Sequence, residues 1–93
     1  RGLGDVYKRQ LYNKVSEAVA SLRRQSESLR YYTTSALKEA DELLKVANLQ
    51  LQHSETNITE FIQAVNVARD IRRGYLETVY QYNIAALEYE LFK

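Results

Sequence analysis

The sequence specifies an all-α protein, a long antiparallel, coiled-coil-like helical hairpin of the kind found as one piece of an α-helical barrel. Three observations carry this. Apolar residues recur at helical spacing along two long stretches. Five consecutive polar residues, His53 to Asn57, separate them. There is no Pro, and two of the three Gly fall within the first four residues, so almost nothing interrupts helix from Leu11 onward.

The first helix is expected from residue 11 to 52. Val15, Val19, Leu22, Ser26, Leu29, Thr33, Ala36, Ala40, Leu43 and Ala47 alternate steps of four and three, which makes a heptad seam. Several of these side chains are small, so a partner helix can approach closely. A second row, Leu37, Leu44 and Leu51, widens the apolar face beyond what one partner covers. That favours a helix packed between neighbours on two sides, as in a barrel or bundle. Thr33-Thr34-Ser35 is locally poor helix chemistry that a long packed helix can absorb.

The tip turn spans 53–57. Asn57 followed by Glu60 fits a capping box, with Thr56 as the alternative cap. Glu55 and Glu60 lie where the positive end of a helix dipole favours anions. No Gly follows Leu51, so the turn starts a helix more clearly than it ends one.

The second helix is expected over 58–92. Phe61, Val65, Ala68, Ile71, Tyr75, Val79, Tyr82, Ala86 and Tyr89 form its seam, flanked by Ile62, Leu76, Ile84 and Leu87. The aromatic rings are expected to pack the hairpin with their hydroxyls at the rim. Gly74 is a weak point that either marks close backbone contact or is tolerated, at roughly 1 kcal/mol against Ala. Residues 1–10 do not share the periodicity. They resemble a translated adapter artefact found at the ends of environmental sequence fragments and are set aside as a non-native leader.

Composition narrows the function. Thirteen Lys and Arg against twelve Asp and Glu leave a net charge of +1, which gives no electrostatic reason to expect nucleic acid. The arginines at 23, 24, 30, 69, 72 and 73 are interspersed with Glu17, Glu27, Asp70 and Glu77, as on a solvated helix surface. Without Cys there is no disulfide framework or thiol chemistry. The single His53 supports neither a catalytic triad nor a metal site, and Glu-x-x-His pairs of a bundle metalloenzyme do not occur. No catalytic, cofactor or metal role is therefore expected.

Three stretches together resemble the last periplasmic hairpin of the outer-membrane efflux channel family, the TolC-like proteins, and most closely their heavy-metal efflux branch. They are Ala36-Leu37-Lys38-Glu39-Ala40-Asp41-Glu42-Leu43-Leu44-Lys45-Val46-Ala47, then Asn57-Ile58-Thr59-Glu60-Phe61-Ile62-Gln63-Ala64, then the run from Tyr75-Leu76-Glu77 through Tyr82-Asn83-Ile84-Ala85-Ala86-Leu87-Glu88. The resemblance covers roughly residues 20–92. It implies a non-enzymatic part of the periplasmic α-barrel of a homotrimeric channel, in a tripartite system with a periplasmic adaptor and an inner-membrane pump that exports heavy-metal cations or drugs. It further implies that Ser54, Glu55, Thr56, Asn57 and Ile58 contact the adaptor and that Glu60 and Gln63 line the channel entrance. Ser54 departs from the family pattern, standing where a Gly is usual, and Ser is disfavoured at positive φ. Gln63 in place of a second acidic residue would weaken cation attraction. The transmembrane β-strands and the first structural repeat lie outside this sequence, and self-association of the isolated chain is expected. The rival reading from the residues is an antiparallel coiled-coil interaction module unrelated to transport.

Overall fold

The computed structural model describes residues 2–93. They form three α-helices, α1 (Gly2–Tyr31), α2 (Leu37–Gln52) and α3 (Ile58–Phe92), in a helical hairpin. A π-helical turn over Tyr32–Ala36 joins α1 to α2 without a break, so helix runs from Gly2 to Gln52. No strand occurs among the described residues. Helix thus begins well before Leu11, although residues 2–10 bury nothing. No described helix is long and apolar enough to cross a membrane.

Two compact units make up the chain, a tip unit of Leu29–Glu77 and a terminal unit of the residues up to Ser28 with Thr78–Lys93. In the tip unit the two segments run antiparallel on either side of the turn. The fully buried side chains there are Ala36, Ala40, Ala47 and Ala68. Leu29, Leu43, Phe61, Val65 and Tyr75 are half-buried around them, as are Leu37, Leu44 and Leu51 of the second row. On the surface of this unit an ion pair crosses between the segments, Arg72 Nη2 donating to Asp41 Oδ1 at 2.7 Å. Both partners are more than half exposed, so the pair contributes at most about 1 kcal/mol.

The terminal unit follows the same plan. Ala18 and Ala85 are its fully buried residues, with Val19, Leu22, Val79, Tyr82 and Ala86 half-buried. Lys14 Nζ sits 5.3 Å from the centroid of the Phe92 ring, a cation–π contact worth about 0.5–1 kcal/mol at an exposed site. Lys93, just past the end of α3, pairs with Glu90 at 3.1 Å.

The π turn has a local cause. Tyr31, Tyr32, Thr33 and Thr34 place two aromatic and two β-branched residues in succession, the types that lose most χ1 freedom in an α-helix. In the turn, the Leu37 N–H donates to the Tyr32 carbonyl, five residues back. The threonine hydroxyls take up carbonyls of the preceding turn: Thr33 Oγ1 donates to Leu29 O at 2.9 Å and Thr34 Oγ1 to Arg30 O at 2.6 Å.

This turn also explains a difference from the sequence reading. Ser26 and Thr33, both on the heptad seam as spaced, are exposed, while Gln25, Ser28 and Tyr32 are half-buried. A π turn accommodates one extra residue, so a pattern spaced for a regular α-helix does not stay in phase through it. Val15, Val19, Leu22 and Leu29 of the expected seam are nevertheless half-buried, with Ala18 buried beside them.

All the fully buried described side chains are alanines, so the inter-helix space has no room for larger ones. Ala40→Leu is expected to destabilise the fold by about 1–3 kcal/mol through overpacking. Lys38→Ala, at an exposed position, should change stability by no more than about 0.5 kcal/mol. Urea unfolding of the two variants beside the parent chain checks both; equal effects would contradict the alanine-lined contact.

Candidate functional site

The turn at the tip holds the residues that the sequence marks for recognition. It is built from two linked caps. At the end of α2, His53 leaves helical geometry (φ −94°, ψ 10°) and Ser54 adopts the left-handed conformation at φ 58°. The Ser54 N–H donates to Leu51 O at 3.2 Å and the Glu55 N–H to Gln50 O at 2.8 Å. These are the two bonds of a Schellman motif, which satisfy carbonyls that the last helical turn leaves free. The helix is closed without a Gly, and Ser54 carries a left-handed conformation that costs an L-residue about 1–2 kcal/mol.

α3 begins at Ile58, four residues after Ser54. Asn57 Oδ1 accepts from the Glu60 N–H at 2.9 Å, which makes Asn57 the N-cap. The reciprocal half of the capping box differs from expectation: the Glu60 carboxylate accepts from the Thr56 hydroxyl, a side chain–side chain bond across the cap. Glu60 also lies in the first turn of α3, where the helix dipole favours its charge.

Outside this cap network the turn is open to solvent. Ser54, Glu55, Asn57, Glu60 and Gln63 are exposed and Thr56 is half-buried. Glu60 and Gln63, three residues apart, share one face of α3. Ile58 and Ile62, four apart, share another and are 60% and 50% exposed. The tip therefore offers an apolar face and an acidic-polar face within the same two helical turns. His53 is exposed. Among the described residues no group of three His, Asp or Glu side chains is placed to hold a metal ion.

In the terminal unit an open groove of about 420 Å³ is lined by Leu22, Arg23, Ser26, Glu27 and Tyr82. Its charged residues, Arg23 and Glu27, are exposed and one helical turn apart, and nothing in it converges on an enclosed centre.

Compared with protein-family models, curated proteins and solved structures, the chain has no significant match.

The caps give opposite stability effects. Ser54→Gly is expected to stabilise the fold by about 0.4–1 kcal/mol or somewhat more, because Gly takes positive φ without steric cost. Asn57→Ala should cost about 1 kcal/mol by leaving the Glu60 N–H without its acceptor. Thermal unfolding of both variants reads the signs directly; a destabilised Ser54→Gly chain would contradict the closing geometry.

Proposed function

We propose that the chain is a segment of the periplasmic α-barrel of a trimeric outer-membrane channel in a tripartite efflux system, in which heavy-metal cations or drugs leave the cell. In this reading the turn is the periplasmic end of the channel. Ser54, Glu55, Thr56, Asn57 and Ile58 meet the adaptor, and Glu60 and Gln63 face the entrance. The helices serve as staves and perform no chemistry.

The observation that supports the reading most is the apolar surface of α3. Ile58, Ile62, Leu76, Tyr80, Leu87 and Leu91 are all half exposed or more. At 100° per residue they fall within an arc of about 60° on one helix. Such a stripe has the form of a lateral contact between staves, in the way that contiguous exposed apolar patches mark interaction surfaces. The motif resemblance around the turn and in Tyr75–Glu88 adds the family to which the stave would belong. A free-standing coiled-coil module has no use for a second apolar stripe beyond its own seam.

The mechanism follows from charge and packing at the tip. An acidic side chain at a narrow entrance concentrates cations, and like charges brought together there resist closure when deprotonated. Each protomer would supply Glu60 on the polar face of α3, while Ile58 and Ile62 on the other face bind apolar surface.

Glu60→Lys, introduced into the complete channel, is expected to lower cation conductance in planar bilayers and to reduce metal resistance in cells. Unchanged conductance together with unchanged resistance would refute the entrance assignment.

A further inference from the structure

Two edges of the tip unit hold apolar side chains in water, and they lie on opposite flanks of the hairpin. On α2, Glu39, Glu42, Val46 and Leu49 fall within an arc of about 80°, and all four are exposed. On α3, Ile58, Ile62, Arg69 and Arg73 fall within about 60° and are exposed as well. Two contacts across the hairpin tell the flanks apart. Arg72 bonds Asp41 on one of them, and Tyr32 meets Gly74 on the other. Going round α3 from the buried Ala68, the four edge residues lie on the side of Arg72, whereas Gly74 lies about 120° the other way. Going round α2 from the buried Ala40, Asp41 lies about 100° one way, and Glu39 and Val46 lie about 100–120° the other.

The two edges match in charge and in level. The α2 edge carries two carboxylates and no cation, since Lys38 and Lys45 lie beyond Leu49 toward the back of the helix. The α3 edge carries two guanidinium groups and no carboxylate. Leu49 and Val46 stand three and six residues before the end of α2, while Ile58 starts α3 and Ile62 is four residues in. Glu42 and Glu39 stand ten and thirteen residues before that end, and Arg69 and Arg73 eleven and fifteen after that start. A second hairpin laid alongside with its tip at the same end therefore sets apolar against apolar and carboxylate against guanidinium, level to within about 5 Å. Other pairings fail on charge. Two α3 edges would crowd the arginines of both copies, and two α2 edges would crowd the glutamates. With the tips pointing opposite ways, full overlap of the edges would set Ile58 and Ile62 against Glu39 and Glu42.

We propose that the tip unit binds a second copy of this chain, side by side and tips together, with the Val46–Leu49 edge of one copy against the Ile58–Ile62 edge of the next. The contact is heterologous: each added copy leaves one edge of either kind open, so growth passes two chains. Charge complementarity selects which edge meets which and at what level. The proposal rests on the stave reading only in taking the exposed apolar residues of α3 as a lateral contact. It uses nothing at the Glu60 entrance, so the conductance test and the test below fail independently.

The test is sedimentation equilibrium of the full chain at low salt, with the charges reversed on each edge in turn. The mass of the parent chain should rise past the dimer with concentration. A chain with Glu39→Lys and Glu42→Lys, and another with Arg69→Glu and Arg73→Glu, should each self-associate at least about tenfold more weakly, because like charges then face each other. An equimolar mixture of the two should recover the parent's association, since opposite charges meet again at every contact. Recovery on mixing separates a lost contact from a lost fold. Orientation is read by disulfide trapping in a chain that has no natural Cys: Val46→Cys mixed with Ile62→Cys should give the mixed dimer as the main product. A parent chain whose mass stops at or below the dimer, a reversed chain that associates like the parent, a mixture that does not recover, or Ile62→Cys homodimers as the main product would each overturn the pairing.

Discussion

Everything in this hairpin depends on the close approach of helix backbones over alanine. Ala36, Ala40, Ala47 and Ala68 line the contact in the tip unit, and Ala18 and Ala85 do so in the terminal unit. Small side chains permit short interhelical distances and many weak contacts along the backbone. They also bring little hydrophobic stabilisation, about 0.8 kcal/mol for each buried methyl-sized group. The larger side chains, Leu22, Leu43, Phe61, Val65, Tyr75 and Tyr82, pack beside the contact and remain only half-buried. A chain built this way keeps substantial apolar surface in water, as at Ile58, Leu76, Leu87 and Leu91.

Much of this was readable from residue spacing. The seam of α3, from Phe61 through Ala68 and Tyr75 to Tyr82 and Ala86, lies on its half-buried to buried side because a straight α-helix keeps a heptad pattern in phase over a few turns. The N-cap at Asn57 was legible because capping is a local bond between a short side chain and an N–H three residues on. The seam of the first arm was readable in α2 and at Val15, Val19, Leu22 and Leu29, and it failed at Ser26 and Thr33, which are exposed. Periodicity assumes a constant number of residues per turn, and the π turn over Tyr32–Ala36 changes that number. The weak helix chemistry of Thr33-Thr34-Ser35 was the available signal, read there as something the helix absorbs. In the structure it marks the place where the helix changes its winding.

The turn shows a second limit of the same kind. The missing Gly after Leu51 suggested a poorly closed helix, yet Ser54 makes the left-handed closure with both hydrogen bonds of a Schellman motif. Residue preference describes cost, and the bonds at Gln50 and Leu51 together with the cap at Asn57 offset it. Thr56 escaped the sequence reading as the partner of Glu60, since that bond forms only after the turn has brought the two side chains across the cap. Gly74 was left between two meanings by sequence, and the structure selects close contact, with Tyr32 as the group it admits. Nothing local to either residue could disclose that pairing, because it spans the two arms of the hairpin.

The functional reading draws on the same physical shortage. Helices held together by alanine and half-buried rings gain from further helices laid along their exposed stripes, and a barrel of staves supplies such neighbours on both sides. The most direct measurement is a dilution series that follows helicity by circular dichroism and mass by sedimentation equilibrium on the same samples. We expect a self-associated, helical chain at high concentration that loses helicity as it dissociates. A monomer that stays fully helical at the lowest concentrations would contradict the claim that this hairpin needs neighbours.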